Sequence, residues 1–237
     1  MNFKLQPIVM TVTAPPADPL RPLIRRLTGD EKHDASSHST LDVLWVLYDR
    51  VLRITPETAD APDRDRFLLS KGHGPAAYYA VLAAKGFFPA EWLDDLGGWD
   101  SPLGHHPDRV RIPGVEVGTG SLGHGLGLAV GVALGLRAQG EQARTFVLVG
   151  DAELDEGSNH EAIAYAAAIR LPLTAIVIDN QSATHGWPGG IAARFPGWDA
   201  ALVDGRDREQ IEYALVKPHH DRPNLVLAAV EPKWSNR

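Results

Sequence analysis

The stretch from Val147 to Gln181, VLVGDAELDEGSNHEAIAYAAAIRLPLTAIVIDNQ, decides the fold. An apolar run, Phe146 to Val149, stops at Gly150-Asp151. A second, Leu173 to Ile178, stops at Asp179-Asn180-Gln181. Between them, from about Gly157 to Arg170, the residues carry helical spacing. Strand, helix and strand in this order predict a parallel crossover of an α/β sheet. Both polar stops then lie at carboxyl ends of strands, the edge at which open α/β sheets bind ligands.

The residues at that edge suit a divalent metal holding a phosphorylated cofactor. Mg²⁺ is a hard ion that takes oxygen ligands: carboxylates, amide oxygens, water and phosphate oxygens. Asp151 offers a carboxylate, and Asn180 or Gln181 offers an amide oxygen from the neighbouring strand end. Gly150 lets the backbone turn tightly beside a diphosphate. Taken singly, Gly-Asp and Asp-Asn are also ordinary strand-ending turns.

Together these residues resemble the thiamine diphosphate motif of transketolases, which opens on Gly-Asp-Gly and closes on an Asn. Gly150-Asp151-Ala152-Glu153-Leu154-Asp155-Glu156-Gly157 is similar to its opening, and Ile178-Asp179-Asn180-Gln181 to its close. Ala152 stands in place of the third-position Gly, and Gln181 stands where the family has the second Asn of Asp-Asn-Asn. The resemblance implies thiamine diphosphate and Mg²⁺ as cofactors. It implies Asp151 with Asn180 or Gln181 at the metal, and Gly150, Asp151, Ala152, Glu153 and Asn180 at the cofactor. The implied fold is α/β, a parallel sheet sandwiched between helices.

Outward from this unit, further segments resemble the same family. Phe67-Leu68-Leu69 reads as a short strand, followed by Ser70-Lys71-Gly72-His73-Gly74-Pro75 and a helix over Ala76 to Lys85. That places an imidazole at the ligand edge, although a buried structural histidine fits the same pattern. The family's Ser-x-Gly-His-Gly implies that His73 lies beside the diphosphate and the substrate. Leu103-Gly104-His105-His106-Pro107 resembles its Gly-His-Pro and implies a sugar-facing role for His106. Pro22 to Arg53 reads as mostly helical; Leu41, Leu44, Trp45, Tyr48 and Leu52 recur on one buried face of a helix with Thr40 as its cap, behind a polar loop. Counting back from Asp42 puts His33 where the family has a third substrate histidine.

Gly118-Thr119-Gly120-Ser121-Leu122-Gly123-His124-Gly125 resembles the family's Gly-Ser-Leu-Gly-Gln-Gly, so Gly120, Ser121 and Leu122 are expected to line the cofactor. Thr119 or Ser121 is expected to cap the next helix, Leu126 to Gln139. That helix is almost all small or apolar and is expected to be buried on most sides. Its glycines, Gly127, Gly131 and Gly135, form a stripe for close packing. Trp92 and Trp99 are expected as packing anchors. Trp198 to Val203 and Leu225 to Val230 predict two more strands, around a helix over Arg208 to Val216. In the family, acids at the positions of Glu156 and Glu161 lie near the subunit interface.

Composition narrows the classes. The chain has 237 residues, enough for one large α/β domain, and 44% are hydrophobic. Residues 1–20 read as an extended or disordered leader and residues 21–237 as the diphosphate-binding domain. A net charge of −7 argues against a nucleic-acid surface. The absence of cysteine excludes disulfides and zinc–thiolate sites in these residues and favours the cytoplasm. No apolar run approaches the roughly 20 residues of a membrane span.

In transketolases a Glu on a separate pyrimidine-binding domain activates the cofactor as a carbanion. The resemblance covers Leu20 to Lys233 and only the diphosphate-binding half. It therefore implies the amino-terminal subunit of a two-chain enzyme, in a dimer or heterotetramer. That enzyme would transfer a two-carbon ketol unit between sugar phosphates. Its partner would be a carboxy-terminal subunit that supplies the pyrimidine domain and the Glu. Two alternatives stand beside this reading: the same subunit with other thiamine-dependent carbonyl chemistry in specialised metabolism, or a non-catalytic paralogue with a degraded metal site.

Overall fold

Parallel pairing organises the chain. A computed structural model describes residues 20–27, 38–183, 186–219 and 221–233. The expected leader, apart from Leu20, and His33 lie outside the described residues. Five strands, β1 (Arg66–Leu69), β2 (Thr145–Gly150), β3 (Leu173–Asp179), β4 (Asp199–Asp204) and β5 (Asn224–Ala229), form one sheet in the order β1-β2-β3-β5-β4. Every neighbouring pair is parallel. The central strands are buried on both faces, which is why they read as continuous apolar runs rather than alternating ones.

Alternate residues of β2 serve opposite layers. Phe146 and Leu148 face one core with α1 (Leu20–Ile24), α2 (Leu41–Val46), α3 (Ala76–Ala84) and α6 (Arg208–Val216). Val147 and Val149 face the other core with α4 (Gly125–Gln139) and α5 (Gly157–Ala168). The result is the three-layer sandwich that the sequence predicts. In the first layer, Tyr48 and Tyr78 share a buried hydrogen bond of 3.1 Å, and Tyr48 meets Phe67 and Phe87 edge-on.

Several local expectations are corrected. α2 ends in a π-helical turn, Leu47–Val51, and Thr40 is itself in helical geometry with no side-chain cap bond, so it does not cap. Neither Thr119 nor Ser121 caps α4; the cap position belongs to His124. Trp92 does stack on Phe88, with ring centroids 5.2 Å apart, but Trp99 is 97% exposed and anchors nothing within the described residues.

The largest correction concerns α4. Leu126, Ala129, Val130, Ala133 and Leu136 are buried, whereas Gly127, Leu128 and Gly131 face outward. A Cβ built on Gly127, Gly131 or Gly135 would meet nothing within 4 Å among the described residues. The smooth stripe packs against no helix among them.

Candidate functional site

The register of β2 against β3 sets the site. Gly150 pairs with Ile178, and the Asp151 amide donates to the Ile178 carbonyl at 3.1 Å. Asp151 and Asn180 thus leave adjacent strand ends, and each is 1% exposed. The Asp151 carboxylate accepts from the Ala152 amide, from the Ser182 amide and hydroxyl at 2.7 and 2.5 Å, and from the Ala183 amide. The loop after β3 is therefore folded onto this carboxylate. Ser182 opens the loop from Ser182 to Gly190, which the sequence leads one to expect to close over the metal; its individual bonds to Asp151 carry no signal in the sequence.

Asn180 is the informative side chain. Neither its Oδ1 nor its Nδ2 has a hydrogen-bond partner among the described residues. Buried side-chain amides are nearly always bonded, so an orphaned one at a strand end points to a missing ligand. Gln181 instead is exposed, in left-handed geometry with φ of 53°. Asn180→Ala is expected to weaken Mg²⁺-dependent thiamine diphosphate binding about tenfold or more, while Gln181→Ala leaves it unchanged. Titration calorimetry of both variants checks this, and equal losses would contradict it.

Four loops meet at this edge, and at two of their glycines a Cβ does not fit. A Cβ on Gly72 would lie 2.6 Å from the Gly120 amide, and one on Gly120 would lie 2.8 Å from the His106 ring. Gly120 also has φ of 123°, which side chains rarely adopt. One on Gly150 would press on the stem of Lys71 at 3.3 Å. The loops carrying His73, His106, Gly120 and Asp151 are thereby stacked into one cradle.

Within that cradle the His73 and His106 rings lie 5.1 Å apart between centroids. Partial burial, and then repulsion from His73 and His105, holds His106 below the ordinary histidine range. A ring lowered in this way is neutral at pH 7 and can accept a proton. His105 instead packs against Gly97, so of the two adjacent histidines it is His106 that meets His73. Ser121 is exposed and sits 3.1 Å from the His124 Nδ1, and Leu122 is half-buried beside it. Ala152 is half-buried in the 3₁₀ turn that opens at Asp151.

Glu153 lies beneath the cradle. Its Oε1 accepts from the Ser70 hydroxyl and from the Gly123 amide at 3.1 Å, and its Oε2 accepts from the Gly150 amide at 2.9 Å. Ser70 in turn accepts from the Gly125 amide at 3.1 Å. One carboxylate therefore ties together three of the loops. Burial raises the Glu153 carboxyl above its ordinary range, against the hydrogen bonds and Lys71 that favour the charged form. Burial likewise lowers Lys71 to about 8, while Glu153 and Asp151 oppose the shift. Ser70 and Lys71 stand in the quoted Ser-Lys-Gly-His-Gly segment, but the bonds they make cross from β1 to β2 and α4. Sequence spacing does not show that.

Among the described residues no three His, Cys, Asp or Glu side chains converge as a metal cluster. A cation here would rest on one carboxylate and one amide and take its remaining oxygens from the diphosphate and water. That donor set suits Mg²⁺.

Residues 28–230 match the family described as "Transketolase, thiamine diphosphate binding domain". The chain belongs to the transketolase family. Among curated relatives it is 43% identical over 207 residues to one chain of the apulose-4-phosphate transketolase of Actinobacillus succinogenes, covering 83% of this chain and 75% of that protein. It is 59% identical over 217 residues to "Ferredoxin fas2" of Rhodococcoides fascians, covering 90% of this chain and 71% of the relative. Its fold matches the transketolase of Campylobacter jejuni with a TM-score of 0.72 at 25% identity, over 89% of this chain and 37% of that one. The chain thus spans little more than a third of the transketolase structure it matches. The parallel five-stranded sheet is the thiamine diphosphate-binding fold of that family.

Proposed function

We propose that this chain is the diphosphate-binding, amino-terminal subunit of a two-chain thiamine diphosphate enzyme that transfers a two-carbon ketol unit between sugar phosphates. The observation that carries the reading is the orphaned Asn180 amide, buried beside Asp151 under a cradle cleared by Gly72, Gly120 and Gly150. Asp151 and Asn180 hold Mg²⁺. The backbone of Gly150 to Ala152 and of Gly120 to Leu122 approaches the diphosphate. Lys71, buried beside Glu153 and Asp151, places a cation at the same edge. When bound, thiamine diphosphate supplies the nucleophilic carbon for breaking and making bonds next to a carbonyl. His73 and His106 orient the sugar, and His106, as a neutral ring, accepts a hydrogen bond from one of its hydroxyls.

Relatives named as separate transketolase subunits support the two-chain reading: the Actinobacillus protein above, and a 6-deoxy-6-sulfo-D-fructose transketolase subunit of Clostridium that is 36% identical. The outward face of α4 and α5 is suited to the partner. Gly127, Leu128, Gly131 and Tyr165 are exposed there, beside Glu161. An exposed apolar face of this kind marks an interaction surface. Gly131→Glu is expected to weaken association by at least about tenfold while leaving the fold intact, because a Cβ there meets nothing within 4 Å. Sedimentation of parent and variant with the co-purified partner checks it.

A second reading, other thiamine-dependent carbonyl chemistry, is favoured by the 59% identical relative, whose name is not that of a sugar transketolase. A cysteine-free stretch cannot hold a Cys-ligated iron–sulfur cluster, so any electron carrier would be a separate group. The deciding experiment is a ketol-transfer assay of the purified chain with thiamine diphosphate and Mg²⁺, alone and with its partner. Activity only with the partner supports the first reading, and activity of the chain alone overturns the two-chain assignment. A reconstituted complex that is inactive on every sugar phosphate but active on 2-oxo acids favours the second.

A further inference from the structure

At the opposite end of the sheet from Asp151, the amino ends of β2 and β3 open into a cavity of about 700 Å³. Thr145 begins β2 and Gly150 ends it, so the two ends are separated by about 16 Å. The volume is within the range of small-molecule sites. Four cations line it, Arg53, Arg137, Arg144 and Lys217, with Glu141 as the acid among the lining residues. Asp65, buried behind, neutralises one more charge. Four positive charges less two negative leave two positive, in a chain whose net charge is −7.

Three of the four cations are held in place rather than loosely displayed. Asp65 grips Arg53 and Arg144 at 2.9 and 2.6 Å, and Arg137 is fixed by the Ile169 carbonyl at 3.1 Å. On another wall the Thr174 hydroxyl lies 2.8 Å from His219 Nε2, while His219 Nδ1 lies 3.2 Å from the Arg222 carbonyl. Since a carbonyl can only accept, Nδ1 carries the proton, and in the neutral ring Thr174 then donates to Nε2.

A second, independent observation points to a ligand. Thr145 lines the cavity and is 2% exposed, and its Oγ1 has no hydrogen-bond partner among the described residues. Buried hydroxyls are seldom left unbonded. Asp65 takes the forks of Arg53 and Arg144, so the Arg137 guanidinium and the Lys217 ammonium are the groups left to meet phosphate oxygens, and the Thr145 hydroxyl adds a donor.

We propose that this cavity is a binding site for a small phosphate-bearing anion, separate from the cofactor cradle and reached from the opposite side of the molecule. The proposal does not depend on the function assigned above.

The test is a titration of the isotope-labelled chain with inorganic phosphate, followed by amide NMR. It is run on the Asp151→Ala variant, so that phosphate at the cofactor edge does not contribute. Saturable shifts are expected at Thr145, Gln142 and His219. In Arg137→Ala/Lys217→Ala, both at exposed positions, the affinity should fall at least about tenfold. Thr145→Val, which keeps the shape and removes the hydroxyl, should weaken it as well. The absence of saturable shifts at these amides, or an unchanged affinity in the double variant, would overturn the proposal.

Discussion

Asp151→Ala is expected to lower Mg²⁺-dependent affinity for thiamine diphosphate by at least about 100-fold while the fold persists. Removing groups that merely orient a metal ligand already costs about 10–100-fold, and Asp151 is the proposed ligand itself, the carboxylate at this strand end. The change also releases the Ser182 and Ala183 amides and the Ser182 hydroxyl, which all bond to Asp151. Each released donor costs up to about 1–3 kcal/mol, and because Ser182 and Ala183 are half-buried, water recovers part of it and the core holds the fold. Titration calorimetry with and without Mg²⁺, together with far-UV circular dichroism, separates the two effects. Binding within a few-fold of the parent, on an intact fold, would remove Asp151 from the site.

The second large effect concerns stability. The Asp65 side chain is fully buried and accepts from the Arg53 and Arg144 amides, both at 2.9 Å, as well as from both guanidiniums. It joins Arg53, two residues past the π-helical turn that ends α2, to Arg144, which precedes β2, and its backbone leads directly into β1. Asp65→Asn is expected to cost about 2–4 kcal/mol, because it leaves two arginines without their carboxylate. Their partial exposure keeps the figure at that level. Burial by itself would raise the Asp65 carboxyl, but Arg144, Arg53 and the two amides outweigh it and hold it below the ordinary range. A lowered carboxyl contributes stability above its unfolded value and loses it as pH falls through its folded value. The difference between parent and variant should therefore be full at pH 7 and shrink below about pH 4. Urea unfolding at pH 7 and in acid checks both the size and the sign, and a difference independent of pH would contradict the account.

What is legible in the sequence follows from which forces act locally. β2, α5 and β3 can be read because a strand buried on both faces is a continuous apolar run and a helix carries its own period. The helix expected over Arg208 to Val216 has those bounds in the structure, with Asp207 supplying the cap bonds to Glu209 and Gln210. The glycine-bearing loops around His73, Gly120 and Asp151 are legible as family motifs, and the structure brings them to one edge.

Other features depend on contacts between distant segments. Ser70 and Glu153 are 83 residues apart, and nothing near either one predicts their bond. The composition of α4 predicts burial on most sides, yet one face is bare among the described residues. An apolar helix face looks the same in sequence whether it meets its own fold or another polypeptide. The choice between Asn180 and Gln181 needs burial and backbone geometry, because both carry amides and they are adjacent.

The central claim, that the diphosphate-binding half works with a pyrimidine-domain partner, is tested most directly by isolating the chain in its native assembly. The purified complex is analysed for its polypeptides and for bound thiamine diphosphate and Mg²⁺. The account predicts a second chain with a pyrimidine-binding domain and an activating Glu, with the cofactor and the metal bound in equal amounts. A complex without thiamine diphosphate, or a chain that carries out ketol transfer by itself, would contradict it.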